Sequence, residues 1–411
     1  MKCIVPQKNL VSALKIIKNS KALDKVEIDK ETAIRVKFYE AENKIEFIAS
    51  NVGVWVISTI DLSDFSKKKN PEEFFSIEDG GEIFVEGKNF ISLMETFSND
   101  CIIKFESNKI ESSTKLEASI HKSDKEGKKK KIGVLSVIEP KFFEEAPPEE
   151  NRKKVHVSAE VLIEAIKSVE FASDSDPARQ YLWGVQIGIY DVDDITACAT
   201  DTSRICYYDK KTKGRNENPV YVMPVKSSLV SAIKSFDPKH NVEINIGEKY
   251  TIMSQSNQIH GIPNVVKVGN ESMIDWMTIR KAFEERCKIH IDVPRKPLLE
   301  CLKTAMLTSG GRYGVRLFFD SKAKELKFSA ENLDMDSNIT SYLTETEPLS
   351  DDAFNAETQD SITFSAEYLR EIISKYKSDK IKFRIQGTDQ TVIISDDNED
   401  FQYISTVIGK I

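Results

Sequence analysis

The sequence predicts an α+β fold made of three repeated domains, each with two helices against antiparallel sheets. Three observations predict it. First, a strand of apolar or alternating residues runs into Ala, Ser or Thr, then Asn, Asp or Glu, and resumes as a strand at 45–56, 195–208 and 326–339. Second, the order helix, strands, helix, strands recurs around each of these motifs after a short opening strand. Third, the repeat is roughly 130 to 150 residues, far longer than a solenoid period, so each copy has a core of its own.

Taken in order, residues 7–20 place Leu10, Val11, Leu14 and Ile17 at helical spacing. Residues 32–39 alternate Ile34, Val36 and Phe38 with Arg35 and Lys37, the period of a half-buried strand, and pair with 45–56 through Glu42 and Asn43. A helix at 87–97 carries Phe90, Leu93, Met94 and Phe97 on one side, and strands at 101–106 and 114–121 close the first copy. The segment 143–153, with Pro147, Pro148 and its charges, suits a surface linker. Copy two follows with a helix from Ser158, a capping residue, to 171, strands at 181–190 and 195–208, a helix at 226–236, and strands at 242–246 and 250–255. Residues 273–283 form an extra helix in the next linker. Copy three has helices at 297–307 and 366–376 and strands at 314–319, 325–330, 380–385 and 391–395. Domains are therefore expected at 1–148, 149–286 and 287–411.

Composition bounds what three copies can be. A chain of 411 residues with 40% hydrophobic residues has ample material for several cores. The net charge of -8 and pI near 5.5 argue against coating nucleic acid with the whole surface, because that binding is driven by phosphate neutralisation. A local basic face is compatible with both values. The six cysteines are scattered in apolar patterns with no CxxC pair, as expected for reduced thiols in a cytoplasmic protein. The N-terminal apolar run is too short for a signal peptide, and no run approaches the roughly 20 residues of a membrane span.

An enzyme is the alternative to weigh. Asp191, Asp193, Asp194 and Asp201 cluster in sequence, as do Asp334 with Asp336 and the residues 396–400, which raises a metal-dependent nucleic-acid-processing enzyme. The first cluster sits in a hairpin turn, where Asp is favoured by bonding to its own backbone, and turn chemistry is the preferred reading. The five histidines show no ligand spacing. Neither a Walker sequence, a dinucleotide loop nor a nucleophile elbow occurs. No metal or cofactor is expected.

Four segments in register with the threefold repeat point to a family: Arg179-Gln-Tyr-Leu-Trp-Gly184, Ala199-Thr-Asp-Thr-Ser-Arg-Ile205, Tyr313-Gly-Val-Arg-Leu317 and Phe364-Ser-Ala-Glu-Tyr-Leu369. In this order and spacing they resemble the bacterial-type DNA polymerase III beta subunit, the sliding clamp, over essentially the whole chain. The resemblance implies a non-catalytic processivity subunit: a head-to-tail homodimeric ring around duplex DNA, with polymerase and clamp loader docking through short peptide motifs between domains two and three. It implies a peptide pocket of Leu182, Thr200, Arg204, Ile205, Pro263, Val268, Tyr368, Val392, Ile404, Val407 and Ile408. It also matches Met306 and Leu307 to apolar dimer-interface positions. Two departures bear on that pocket. The family's Thr-Asp-Gly-His-Arg turn reads Thr200-Asp-Thr-Ser-Arg204 here, and its Met-Pro-Met-Arg-Leu tail is replaced by Thr406-Val-Ile-Gly-Lys-Ile411. The basic stretch 122–131, ending in Lys128 to Lys131, is an insertion read as a solvated loop.

Geometry and charge agree with encirclement. Twelve helices from two chains, spaced about 9 Å apart, close a circle whose hole, after subtracting a helix radius of about 5 Å, is about 24 Å wide, enough for a duplex. The helical segments 7–21, 87–100, 159–176, 224–240, 295–312 and 365–380 hold 17 Lys plus Arg against 12 Asp plus Glu, although the whole chain is acidic. Polar stripes at i, i+4, i+7 run through Lys8, Ser12 and Lys15, through Lys296, Glu300 and Lys303, and through Arg370, Ser374 and Lys377. With Lys18, Arg179 and Lys234, their cations form the expected DNA-binding set. The segment 159–176 is an acidic exception, with Glu160, Glu164 and Glu170.

Overall fold

The computed structural model describes residues 1–19, 32–51, 54–61, 65, 69–110, 113–123, 132–139, 143, 153–174, 184–209, 215, 220–222, 230, 233–234, 236–246, 250–255, 258–263, 276–287, 289–309, 314–320, 325–332, 337–343, 347–348, 361–385, 392–396 and 401–405. The first repeat runs β1 (Lys2–Pro6), α1 (Gln7–Asn19), β2 (Ala33–Tyr39), β3 (Lys44–Asn51), β4 (Val54–Asp61), β5 (Ser76–Asp79), β6 (Gly81–Glu86), α2 (Gly87–Glu95), β7 (Cys101–Ile110), β8 (Ser113–Ser123) and β9 (Ile132–Ser136). The second runs β10 (Lys153–Ser158), α3 (Ala159–Val169), β11 (Gln186–Asp191), β12 (Asp194–Thr200), β13 (Arg204–Asp209), β14 (Val220–Val222), β15 (Asn241–Ile246), β16 (Tyr250–Gln255) and β17 (Gln258–Pro263). After the linker helix α4 (Trp276–Arg286), the third runs β18 (Ile289–Pro294), α5 (Arg295–Ser309), β19 (Gly314–Asp320), β20 (Glu325–Asn332), β21 (Ser337–Leu343), β22 (Glu347–Pro348), β23 (Ser361–Ser365), α6 (Ala366–Lys375), β24 (Lys380–Ile385), β25 (Val392–Ser395) and β26 (Phe401–Ser405).

Local chemistry accounts for the helices. On α1, Leu10, Leu14 and Ile17 are buried at helical spacing while Lys8, Ser12 and Lys15 are exposed. The Glu86 carboxylate accepts from the Asn89 amide at 2.7 Å and caps α2. Ser365 does the same for α6 through the Tyr368 amide at 3.3 Å.

The chain falls into two compact units. One comprises Met1–Ile163, Asp191–Asp193 and Pro224–Val265; the other comprises Glu164–Tyr190, Asp194–Met223 and Val266–Ile411. The first holds a five-stranded sheet, β5-β1-β7-β8-β9, and an eight-stranded one, β10-β15-β16-β17-β4-β3-β2-β6. The second holds a nine-stranded sheet, β14-β11-β12-β13-β26-β25-β24-β18-β22, and a four-stranded one, β21-β20-β19-β23. The eight- and nine-stranded sheets each combine strands from two repeats. The sequence had left out β9, β17 and β26, each of which adds a strand beyond the expected pairs.

The repeat holds to single residues. Cys3, Val155 and Ile291 each stand four positions before a helix and pair with Phe105, Ile244 and Phe383. Those pair with Ala118, Met253 and Ile394, which pair in turn with Gly133, His260 and Tyr403. Each repeat thus makes an outer half-sheet that ends on β9, β17 or β26. It also makes a middle half-sheet, in which Ala49, Ala199 and Ala330 face Val56, Cys206 and Ile339 on β4, β13 and β21. The junctions obey the same register: His260 pairs with Val56, and Tyr403 with Cys206. β9 and β21 are the corresponding ends of the five- and four-stranded sheets, and each lies at a sheet edge.

Candidate functional site

The stripes of the expected DNA-binding set are built as the spacing predicts, each within its own unit. In the first unit, Lys8, Lys15 and Lys18 are exposed on α1. Lys18 Nζ reaches Glu95 Oε1 at 2.7 Å, so its charge is shared with α2. Lys234 is also exposed there. In the second unit, Lys296, Glu300 and Lys303 are exposed on α5 over buried Leu298 and Leu302. Arg370 and Ser374 are exposed on α6, and Lys377 just past its end, with Leu369, Ile372 and Ile373 buried beneath. Arg179 lies outside the described residues.

Of the expected pocket residues, Thr200, Arg204 and Ile205 lie at the turn between β12 and β13, and Tyr368 stands against Arg204. Asp201 Oδ1 accepts from the Ser203 and Arg204 amides at 3.0 Å each, and Thr200 Oγ1 donates to the Arg204 carbonyl at 2.7 Å. Thr202 closes the turn with φ of 76°, in the left-handed region. Arg204 is the centre of the site, 7% exposed. Its Nε donates to Asp201 Oδ2 at 2.9 Å, its Nη1 to Glu371 Oε2 at 2.9 Å, and its Nη2 to the Phe171 carbonyl at 2.6 Å. The guanidinium lies 3.9 Å from the Tyr368 ring centroid and 5.2 Å from that of Phe171. A planar cation with several donors serves two carboxylates, a carbonyl and an aromatic face at once.

Pairing brings the apolar members onto adjoining strands. Ile205 pairs with Thr200 and with Ile404, and Ile404 with Ile393. Val392 pairs with Ser405 and is fully buried, which makes it core beneath the site. Ile404 is a strand residue of β26 and so is not part of a free tail. Pro263 pairs with Tyr250 at the end of β17, in the other unit. Leu182, Val268, Val407 and Ile408 lie outside the described residues, as do most of the expected helix 226–236 and the basic stretch from 124 to 131. Leu307 is 85% exposed near the end of α5, and Met306 is half-buried.

The carboxylate cluster is dispersed among arginines. Asp194 receives Arg215 at 2.5 Å and Asp201 receives Arg204, while Asp191 accepts from the Val192 amide at 2.8 Å as a turn residue. Among the described residues no group of acidic, His or Cys side chains could hold a metal ion. All six cysteines are free, and burial pushes the Cys206 thiol well up from its ordinary value. No helix among the described residues is long and apolar enough to cross a membrane.

Residues 156–262 match the family model for the DNA polymerase III beta subunit, central domain. Over the full length of both chains, the fold is similar to the DNA polymerase III subunit beta of Pseudomonas aeruginosa, at TM-score 0.79 and 14% identity. The chain has the sliding-clamp fold over its full length and carries a match to that family's central domain over 156–262. The Thermotoga maritima beta subunit is similar at TM-score 0.77 and 15% identity, again covering 100% of each chain. The Bartonella birtlesii sliding clamp, solved bound to griselimycin, is similar at TM-score 0.76 and 16% identity, with the same coverage. No curated protein matches by sequence.

Sequence reasoning missed Phe171 and Glu371, the partners that fix Arg204 from a distance. Glu371 stands one turn after Tyr368 on α6, and that i, i+3 spacing is the sequence signal that puts both on one helix face.

Proposed function

We propose that this clamp encircles duplex DNA as a head-to-tail homodimer and tethers a polymerase and a clamp loader through short peptide motifs, without catalysis of its own. The observation that carries the reading is the repeated junction. Two outer half-sheets in the chain each join a middle half-sheet at one fixed register, and among the described residues one outer edge, β9, and one middle edge, β21, are left over. A second copy supplies the missing partner for each, which is a heterologous contact that closes into a ring. By the same register Gly133 faces Ile339 of the partner subunit, so Val134 faces Asn338 and Ile132 faces Thr340. Ile132 and Val134 are 48% and 53% exposed, an apolar edge that such pairing covers. Leu307 belongs to the same interface, because α5 packs on β20 and β21.

The exposed lysine stripes supply sequence-independent phosphate contacts. Three domains, at 1–148, 149–286 and 287–411, and a cytoplasmic location complete the reading. The groove on the Ile205 face of the nine-stranded sheet takes the peptide motif, with Arg204 and Tyr368 bracing β13 from the opposite face, at micromolar affinity of about 8 kcal/mol.

A double variant carrying V134C and N338C tests the assembly. Mild oxidation should give a covalent dimer on a denaturing gel, while the diagonal pair V134C with T340C should not, because its Cα atoms lie too far apart for a disulfide. A dimer in sedimentation without the cross-link would reject the register. A monomer at low micromolar concentration would reject the ring.

A further inference from the structure

β13 presents its residues alternately to the two faces of the nine-stranded sheet. Arg204 and Tyr208 turn toward Phe171 and Glu164. Ile205 and Tyr207 turn to the other face, which α4 covers. Phe283 on α4 and Cys287 just beyond it pack with Ile205, Cys198, Tyr207 and Ile393. Arg280, 6% exposed, lies 4.6 Å from the Tyr207 ring centroid. Its Nη1 donates to Asp209 Oδ2 at 3.0 Å and its Nε to Glu284 Oε1 at 3.0 Å. Arg280, Phe283, Glu284 and Cys287 fall at i, i+3, i+4 and i+7, the pattern of an amphipathic helix laid into an apolar groove.

We propose that α4 is a built-in occupant of the partner groove, and that a peptide reaches Ile205 only when α4 lifts off the sheet. This rests on the placement of the groove argued above. Two features make lifting feasible. Asp209 also receives Arg215 at 2.6 Å, so departure of Arg280 does not strand a buried carboxylate without a cation. An eleven-residue helix is marginal in water on its own, so α4 leaves the groove as an unfolding segment with no second docking place required. A partner segment that replaces α4 needs an apolar side chain where Phe283 lies. A cation one turn before it would meet Asp209.

Griselimycin, the ligand of the Bartonella birtlesii relative, serves as the probe on the full-length dimer. Phe283→Ala should bind it about tenfold more tightly than the wild type, the factor recovered when a groove open one time in ten becomes permanently open. In the unsubstituted protein, the probe should speed amide exchange across 276–286 and expose Cys287 to iodoacetamide at neutral pH. Burial otherwise protects that thiol and pushes its pKa up to about 11. Equal affinity for both proteins, with exchange across 276–286 unchanged by the probe, would overturn the proposal. Absence of binding to either protein, with the V134C and N338C cross-link still forming, would remove the groove reading on which it rests while sparing the ring.

Discussion

Thr202 adopts φ of 76°, a left-handed conformation that a β-branched L-residue reaches only at a cost. Thr202→Gly should therefore stabilise the protein by about 1 kcal/mol, read as a raised melting temperature. Arg204→Ala should do the opposite, by about 3 kcal/mol, since it leaves the partly buried Asp201 carboxylate without its cation. Arg204→Lys should fail to rescue, because an ammonium cannot serve Asp201, Glu371 and the Phe171 carbonyl together. Cys287 sets an alkaline limit. Burial pushes its thiol up to about 11 in the folded protein from an ordinary 9.0, so above pH 9 the unfolded chain loses its proton while the folded one keeps it. Stability should fall between pH 9 and 11, by about 2 to 3 kcal/mol from this group, and Cys287→Ala should flatten that limb of a denaturant titration series. At this scale the Asp201–Arg204 turn was legible because its partners are three residues apart. Glu371 is separated from Arg204 by 167 positions, a pairing that no local pattern carries.

At the scale of elements, helices and long strands followed from periodicity. The strands that complete each outer half-sheet did not. β9 directly follows the lysine run expected as a loop, and β26 ends six residues before Ile411 in a stretch expected as tail, so neither was expected as a strand. Their strand character comes from partners: β9 pairs with β8, and β26 lies between β13 and β25. Gly133 in β9 also has a packing cause, since a Cβ there would stand 2.6 Å from a Leu93 methyl. The linker helix was legible, but its seat was not, because Arg280 meets Asp209 across 71 positions. Leu307, exposed on α5, is the element-scale test of the interface. Leu307→Asp should give a folded monomer in sedimentation, and a persistent dimer at low micromolar concentration would place the interface elsewhere.

For the whole molecule, an acidic chain that carries cations along helix faces is suited to surrounding a polyanion without sticking to it nonspecifically over its outer surface. Charge reversal at Lys8, Lys15, Lys296 and Lys377 to Glu should weaken DNA association strongly and flatten its salt dependence while leaving the melting temperature unchanged. The threefold repeat was legible in the three strand-turn-strand motifs, whereas the sharing of sheets between repeats was not, since strand neighbours across a junction are distant in sequence. The central claim is topological, and one measurement addresses it directly. The V134C and N338C protein is mixed with nicked circular duplex, oxidised, and washed in 1 M salt, which screens phosphate contacts to about 3 Å. A closed ring should stay on the circle and be released when the DNA is cut once. Loss from the intact circle at high salt, or equal retention after linearisation, would contradict encirclement.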